Sequence, residues 1–156
     1  MIETVRFSGT TYAPVPGKFE AGTQNFNAVP TLQEALRLAR EFQQDPEVAQ
    51  NEWAITHYLT ETLSADSRIR LYGVPRGTQV KVPLFSFSVE GAHHEDLALI
   101  LDKMGIAVRS GQMCAEPLMD HFGVTGMLRA SFAPYNTMEE AEFFVKSLNK
   151  AISMLI

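Results

Sequence analysis

Apolar and polar residues alternate in two short stretches of the chain, which predicts two strands of one sheet. The stretch Leu84–Val89 alternates almost strictly, and Met127–Phe132 alternates again. Arg129 and Ser131 fall on the face of the second strand that points away from the core. The residues expected to face the core are Phe85, Phe87, Val89, Leu128, Ala130 and Phe132. The opposite face of the second strand is therefore partly polar, and it is a candidate for meeting something other than the core.

Helical spacing of apolar residues predicts five helices, which cover residues 31–42, 45–63, 97–104, 117–122 and 137–155. Thr31 and Glu34 stand in the spacing of a capping box, as do Thr137 and Glu140. Asp45-Pro46 supplies a cap and a first-turn proline to the second helix. Further short strands are predicted at residues 2–7, 69–72 and 106–109, with a turn-rich connection at 73–77. The mixture predicts an α+β fold, in which a small, mostly antiparallel sheet has helices packed on one face.

The length of 156 residues allows about one domain. Pro14 and Pro16 fix backbone angles and remove amide donors, so regular structure is not expected around them. Residues 1–30 therefore read as a leading arm, and residues 31–156 as a small α+β domain.

Composition excludes several functional classes. A net charge of −5 argues against binding to nucleic acid or to an anionic membrane surface. No apolar stretch is long enough to span a bilayer, and the N-terminus lacks the pattern of a signal peptide. The single cysteine, Cys114, allows neither an intrachain disulfide nor a thiolate zinc site. No metal site is expected, and a reducing, cytoplasmic location is the natural expectation.

Cys114 is the first candidate for chemistry. It follows a predicted strand and precedes a short helix marked by Pro117, where the helix dipole favours a thiolate, and Arg109 adds positive charge nearby. The alternative interpretation is that a lone cysteine is a small buried apolar residue.

Arg109 and Arg129 are candidates for binding a carboxylate, because a planar guanidinium donates two parallel hydrogen bonds. For either arginine taken alone, the alternative interpretation is an ordinary salt bridge or an exposed strand residue, because exposed charged residues are the norm. The polar turn Glu20–Asn25 offers a hydroxyl and free amides for a phosphate, or it is an ordinary loop. His93-His94 offers a metal pair or a proton donor, or it is simply the polar start of a helix.

Four ordered motifs point to one family. They are Lys-Phe-Glu-Ala-Gly-Thr at 18–23, Ile-Arg-Leu-Tyr-Gly at 69–73, Arg-Ser-Gly at 109–111 followed by Cys114, and Arg-Ala-Ser-Phe-Ala-Pro-Tyr-Asn-Thr-Met-Glu-Glu at 129–140. This order resembles the C-terminal part of the SufS-type cysteine desulfurases, which belong to class V of the fold-type I pyridoxal-phosphate enzymes. The resemblance extends over nearly the whole chain.

The resemblance implies a role for each candidate residue. Cys114 would be the nucleophile that takes sulfur from L-cysteine, leaving alanine and an enzyme persulfide for an acceptor protein of iron–sulfur cluster assembly. Arg129 would bind the substrate carboxylate, with Arg109 in the same pocket. Thr23, with Gly22, would reach the phosphate of pyridoxal 5'-phosphate in the other subunit of a homodimer. Similar enzymes often carry two histidines immediately before the nucleophile, where this chain has Gln112-Met113.

The family's chains are much longer, and their large domain carries the lysine that binds the cofactor. The five lysines here are Lys18, Lys81, Lys103, Lys146 and Lys150, and none follows a Ser/Gly-His pair. We therefore expect the chain alone to be inactive as a desulfurase. The alternatives are a selenocysteine lyase or another class V enzyme, a free-standing thiol carrier, and an interaction module in which Cys114 is idle and buried.

Overall fold

The computed structural model describes residues 1–73 and 81–156. The chain divides into two compact units, Met1–Glu41 and Phe42–Ile156. The division falls within a helix, beyond the boundary that the sequence predicts at residue 30. Most of the turn-rich connection predicted at 73–77 lies outside the described residues.

The first unit begins with a β-hairpin. Strand β1, Ile2–Arg6, pairs antiparallel with β2, Gly9–Tyr12, and the hydroxyls of Thr4 and Thr11 lie 2.6 Å apart across the pair. Sequence patterning predicts β1 but misses β2, because Gly-Thr-Thr-Tyr shows no alternation of apolar and polar residues. A short 3-10 turn follows at Gly17–Phe19.

Helix α1 covers Thr31–Gln44 and forms where the sequence predicts it. The predicted capping box at its start is absent, since the Thr31 hydroxyl donates to the Ala28 carbonyl at 2.6 Å and Glu34 pairs with Arg37 at 2.9 Å. The predicted apolar stripe is also largely exposed, with Leu32 at 56% and Leu36 at 51%. The helix is amphipathic as expected, but most residues of its apolar stripe are exposed.

The second unit is built on a four-stranded antiparallel sheet in the order β3-β4-β6-β5. Its strands are β3 Ile69–Tyr72, β4 Leu84–Val89, β5 Arg109–Gly111 and β6 Met127–Ser131. Three of them lie where the sequence predicts them. The fourth, β5, starts at the last residue of the strand predicted at 106–109, because pairing with β6 and not apolar composition sets where this edge strand begins.

One face of the sheet is covered by helices α2 Pro46–Ala65, α3 His94–Lys103 and α5 Met138–Leu155. The core between them and the sheet includes Phe85, Phe87 and Leu128, each fully buried. The α+β fold predicted from the sequence is confirmed. A short helix, α4 Glu116–Phe122, lies on the opposite face, where Met119 packs against Tyr72 and Met127.

Helix α5 opens with the capping box that the sequence predicts. The Glu140 amide donates to the Thr137 hydroxyl, and the Thr137 amide donates to the Glu140 carboxylate at 2.9 Å. The hydrogen bond from Asn136 and this backbone bond lower the pKa of Glu140. The box therefore fixes the start of the helix that contributes most residues to the core.

We expect Thr137→Ala to lower the free energy of unfolding by about 1 kcal/mol, because one amide at the helix start loses its acceptor. Chemical denaturation measures the change. Ser153→Ala, near the exposed end of the same helix, is the matched control and should change stability by less than about 0.5 kcal/mol. Equal effects of the two substitutions would contradict a capping role.

Candidate active site

The centre of the candidate site is the pairing of β5 with β6. In this ladder Arg109 lies directly opposite Arg129. Direct partners in an antiparallel pair project to the same face with Cβ atoms about 5 Å apart, and like charges at such positions are destabilising. The two cationic side chains therefore leave the backbone at neighbouring points on one face of the sheet. A bound anion would reduce the repulsion between them.

The surroundings of the Arg129 side chain also favour a bound anion. The residue is half-buried, and its buried Nε atom has no hydrogen-bond partner among residues 1–73 and 81–156. A buried donor without an acceptor costs about 1–3 kcal/mol, more when the group is charged. An oxyanion bound at this guanidinium would remove the penalty.

Cys114 lies beside the first of these arginines. Arg109 Nη2 donates towards Cys114 Sγ at 3.9 Å, and the cysteine is exposed. The thiol and one guanidinium are thus neighbours on the molecular surface, and the ladder places the second guanidinium next to the first. The structure brings together three of the residues that the sequence singles out.

The cysteine sits in a strained turn. Met113 and Cys114 have φ of 57° and 58°, in the left-handed region that few side chains adopt, and the Ala115 amide donates to the Gln112 carbonyl at 3.0 Å. Positive φ at both central residues is the pattern of a type I′ turn, which favours Asn and Gly. Nothing in the local sequence predicts it, since Met-Cys is an unusual pair for such a turn.

The polar face predicted for β6 extends across the sheet. Ser86 of β4 is the direct partner of Arg129 on one side and of Tyr72 on the other. The Tyr72 hydroxyl lies 2.9 Å from the Ser88 hydroxyl, and Arg70 stacks over the Tyr72 ring at 5.1 Å. The arginines of the site therefore belong to a row of polar side chains on the face opposite the main core.

Thr23 and Gly22 lie in the first unit, in a segment without helix or strand. Thr23 is exposed, so its hydroxyl is open to a ligand, and Gly22 has φ of 83°, which glycine adopts without strain.

The two adjacent histidines take different positions. His93 caps α3 by accepting a hydrogen bond from the Glu95 amide at 3.3 Å, as the polar start of a helix would. His94 is half-buried, and its Nδ1 lies 3.1 Å from the hydroxyl of Ser110. Sequence patterning does not anticipate the contact with Ser110, because it joins residues sixteen positions apart through tertiary structure.

A family model described as Aminotransferase class-V matches residues 1–144. The chain belongs to this family. Among curated class V relatives, a probable cysteine desulfurase of Vibrio cholerae is 41% identical over 155 residues, which are 99% of this chain and 37% of that protein. Cysteine desulfurase CsdA of Escherichia coli is 38% identical and covers 100% of this chain.

Solved structures agree with the sequence comparison. The crystal structure of Escherichia coli CsdA matches all of this chain with a TM-score of 0.73 and 34% identity. The apo cysteine desulfurase of Thermococcus onnurineus matches 99% of it with a TM-score of 0.74 and 34% identity. The chain spans about 37% of the length of the curated relatives it matches.

Within the described residues, no helix is long and apolar enough to cross a membrane.

The turn at Cys114 generates the first prediction for the site. Met113→Asn should raise the free energy of unfolding by up to about 1 kcal/mol, because asparagine adopts positive φ at lower cost than methionine. Thermal and chemical denaturation measure it. Gln112→Asn, at the neighbouring position without positive φ, should be close to neutral, and a stabilisation of equal size there would contradict the assignment of strain.

His94 generates a prediction about pH. Burial, assisted by the charge of His93, lowers the pKa of His94 below its ordinary value. A depressed histidine pKa means that the unfolded chain binds the proton more readily, so stability is complete above about pH 6.5 and falls as the pH drops below it. Urea denaturation between pH 7 and pH 5 should show this fall, and His94→Asn should reduce it. His93→Asn keeps a helix cap and removes only the smaller cause of the shift, so it should leave most of the fall in place.

Proposed function

We propose that this chain is the C-terminal segment of a SufS-type cysteine desulfurase, and that it supplies the thiol that accepts sulfur and the arginines that hold the substrate carboxylate. The observation that carries the proposal is the juxtaposition of Arg109 with Arg129 across β5 and β6, next to exposed Cys114. The buried, unpaired Nε of Arg129 supports an anionic ligand there. The relatives named as cysteine desulfurases support L-cysteine as that ligand.

The residues of this chain would divide the work between binding and reaction. Arg129 would donate two parallel hydrogen bonds to the carboxylate of L-cysteine, which fixes the amino acid in one orientation. Arg109 at 3.9 Å would stabilise negative charge on the Cys114 sulfur. The Cys114 thiolate would then attack the substrate sulfur, forming an S–S bond as the substrate C–S bond breaks. The substrate carbon keeps the electron pair, takes a proton and leaves as alanine, and Cys114 carries the persulfide.

Pyridoxal 5'-phosphate, when bound to the parent protein, would supply the delocalisation that lets the carbon accept this electron pair. The exposed Thr23 hydroxyl and the turn at Gly22 suit a phosphate group, and we propose that they contact the cofactor of the other subunit in a homodimer. The lysine that binds the cofactor would come from another segment of the parent, so the 156 residues alone are expected to be inactive.

The terminal sulfur of the persulfide must be transferred to an acceptor. Cys114 is exposed on a surface turn, which suits transfer of its terminal sulfur to an acceptor protein. We propose the acceptor to be a protein of iron–sulfur cluster assembly in the cytoplasm.

A second candidate is a selenocysteine lyase, since the same arginines would bind the carboxylate of either amino acid. Two other functions fit less well. An idle cysteine would be buried, whereas Cys114 is exposed. A thiol carrier has no use for a buried guanidinium that lacks an acceptor.

A chimera tests the proposal. The segment of Escherichia coli CsdA that matches this chain would be replaced by the 156 residues, and release of alanine from L-cysteine would be measured together with the mass of the Cys114 persulfide. We expect turnover, with Cys114→Ser abolishing it. A chimera that is folded and binds the cofactor but releases no alanine would contradict the proposal, and activity on selenocysteine alone would favour the lyase.

Arg129 provides a sharper prediction in the same chimera. Arg129→Lys keeps the charge but removes the two-pronged donor, and it should raise the KM for L-cysteine roughly 10- to 100-fold, as expected for loss of hydrogen bonds to a charged group. Steady-state kinetics measure the effect. Arg70→Lys, on the same face but at the outer strand β3, is the matched control and should leave the KM within about twofold of the unsubstituted chimera.

A further inference from the structure

The edge strand that carries Arg109 is short. Strand β5 has only three residues, and within residues 1–73 and 81–156 it pairs with β6 alone. A three-residue ladder at the edge of a sheet is weak by itself, because its few backbone hydrogen bonds are exposed to water and open readily. Something besides the ladder must hold Arg109 in place if it is to meet Cys114 reliably.

His94 contacts this strand from the side of the core. Side chains alternate along a strand, so Ser110 points to the face opposite Arg109 and towards α3. There its hydroxyl lies 3.1 Å from Nδ1 of His94, the first residue of α3. The imidazole therefore fixes the strand at the residue next to the arginine.

The other edge of the same ring meets the start of β6. A Cβ added to buried Gly126 would lie 2.9 Å from both Cδ2 and Cε1 of His94, and closer still to Nε2. The ring thus fills the space that a side chain at Gly126 would need, one residue before β6 begins. One imidazole bridges the two strands that carry Arg109 and Arg129.

We propose that His94 is a positioning residue, which acts through Ser110 to hold Arg109 against Cys114. This inference rests on the proposed function of Arg109 and Cys114. It gives the second histidine of the His93-His94 pair a role that neither metal binding nor helix capping provides, and it makes Gly126 a requirement of the site.

The test uses the single cysteine as a reporter. Iodoacetate and iodoacetamide both alkylate cysteine thiolates, but only iodoacetate carries a negative charge. The rate of alkylation of Cys114 by iodoacetate, divided by the rate by iodoacetamide, therefore measures the positive charge beside the sulfur. The thiolate fraction cancels in this ratio. A guanidinium close to the thiol should raise this ratio about fivefold over its value without that charge, and added salt should reduce the difference.

Arg109→Gln sets the reference for loss of that charge, and we expect it to abolish most of the preference. Ser110→Ala and His94→Leu should each lower the ratio at least twofold while Arg109 is still present. His94→Asn, whose side-chain amide reaches near the position of Nδ1, should restore it. His93→Asn is the matched control and should leave the ratio unchanged.

Gly126→Ala offers an independent route, because it displaces the ring without removing any polar group. It should lower the ratio in the unsubstituted chain and have no further effect in His94→Ala. Circular dichroism identifies any variant that fails to fold, and the ratio is then interpreted from Ser110→Ala and Gly126→Ala.

The outcomes distinguish the proposed function from the positioning role of His94. If Arg109→Gln leaves the ratio unchanged, the arginine does not act on Cys114, and the role proposed for Arg109 in stabilising the sulfur is overturned together with the positioning role of His94. If Arg109→Gln lowers the ratio but folded Ser110→Ala, His94→Leu and Gly126→Ala do not, the positioning role of His94 is overturned while the proposed function stands.

Discussion

The candidate site depends on the pairing of the three-residue strand β5 with strand β6. Because β5 pairs with β6 in a register that sets Arg109 opposite Arg129, two cations share one face of the sheet and one of them keeps a buried donor without an acceptor among the described residues. Such an arrangement lowers stability unless an anion completes it. Local rules of sheet stability are commonly broken at functional sites, where binding supplies the missing interaction. The pairing of Arg109 with Arg129 is therefore informative, because it favours a bound anion.

The rest of the second unit holds that ladder in place. Strand β6 is central in the sheet, and Leu128 and Ala130 point into the core while Arg129 between them points out. Rotating Arg129 to the other face would require a register shift by one residue, which would expose both apolar neighbours. The free energy of core burial thus fixes the direction of the arginine. On the other side of β5, His94 contacts Ser110 from α3, so both arginines are positioned from the core side.

Strands and helices with a buried face were predictable from the sequence, because burial imposes a period. Strands β4 and β6 and the capped helix α5 follow their patterns closely. Strand β5 was predicted out of place and β2 was missed, since an edge strand or an exposed hairpin imposes no such period. The apolar stripe of α1 predicts the helix correctly but does not predict that the stripe is exposed. Amphipathic spacing identifies the apolar face of a helix, but it does not identify what covers that face.

The candidate site shows the same division between pattern and tertiary structure. Alternation predicts Arg129 on the outer face, and the short spacing between Arg109 and Cys114 predicts that they are neighbours. The shared pocket of the two arginines is suggested only by resemblance to a family, and the role of Ser110 by neither. Net charge was no guide either. A chain of net charge −5 presents three arginines, Arg70, Arg109 and Arg129, on the face of its sheet opposite the main core. The carboxylate binding proposed for this site depends on these local charges, which the sheet topology brings together from strands distant in sequence.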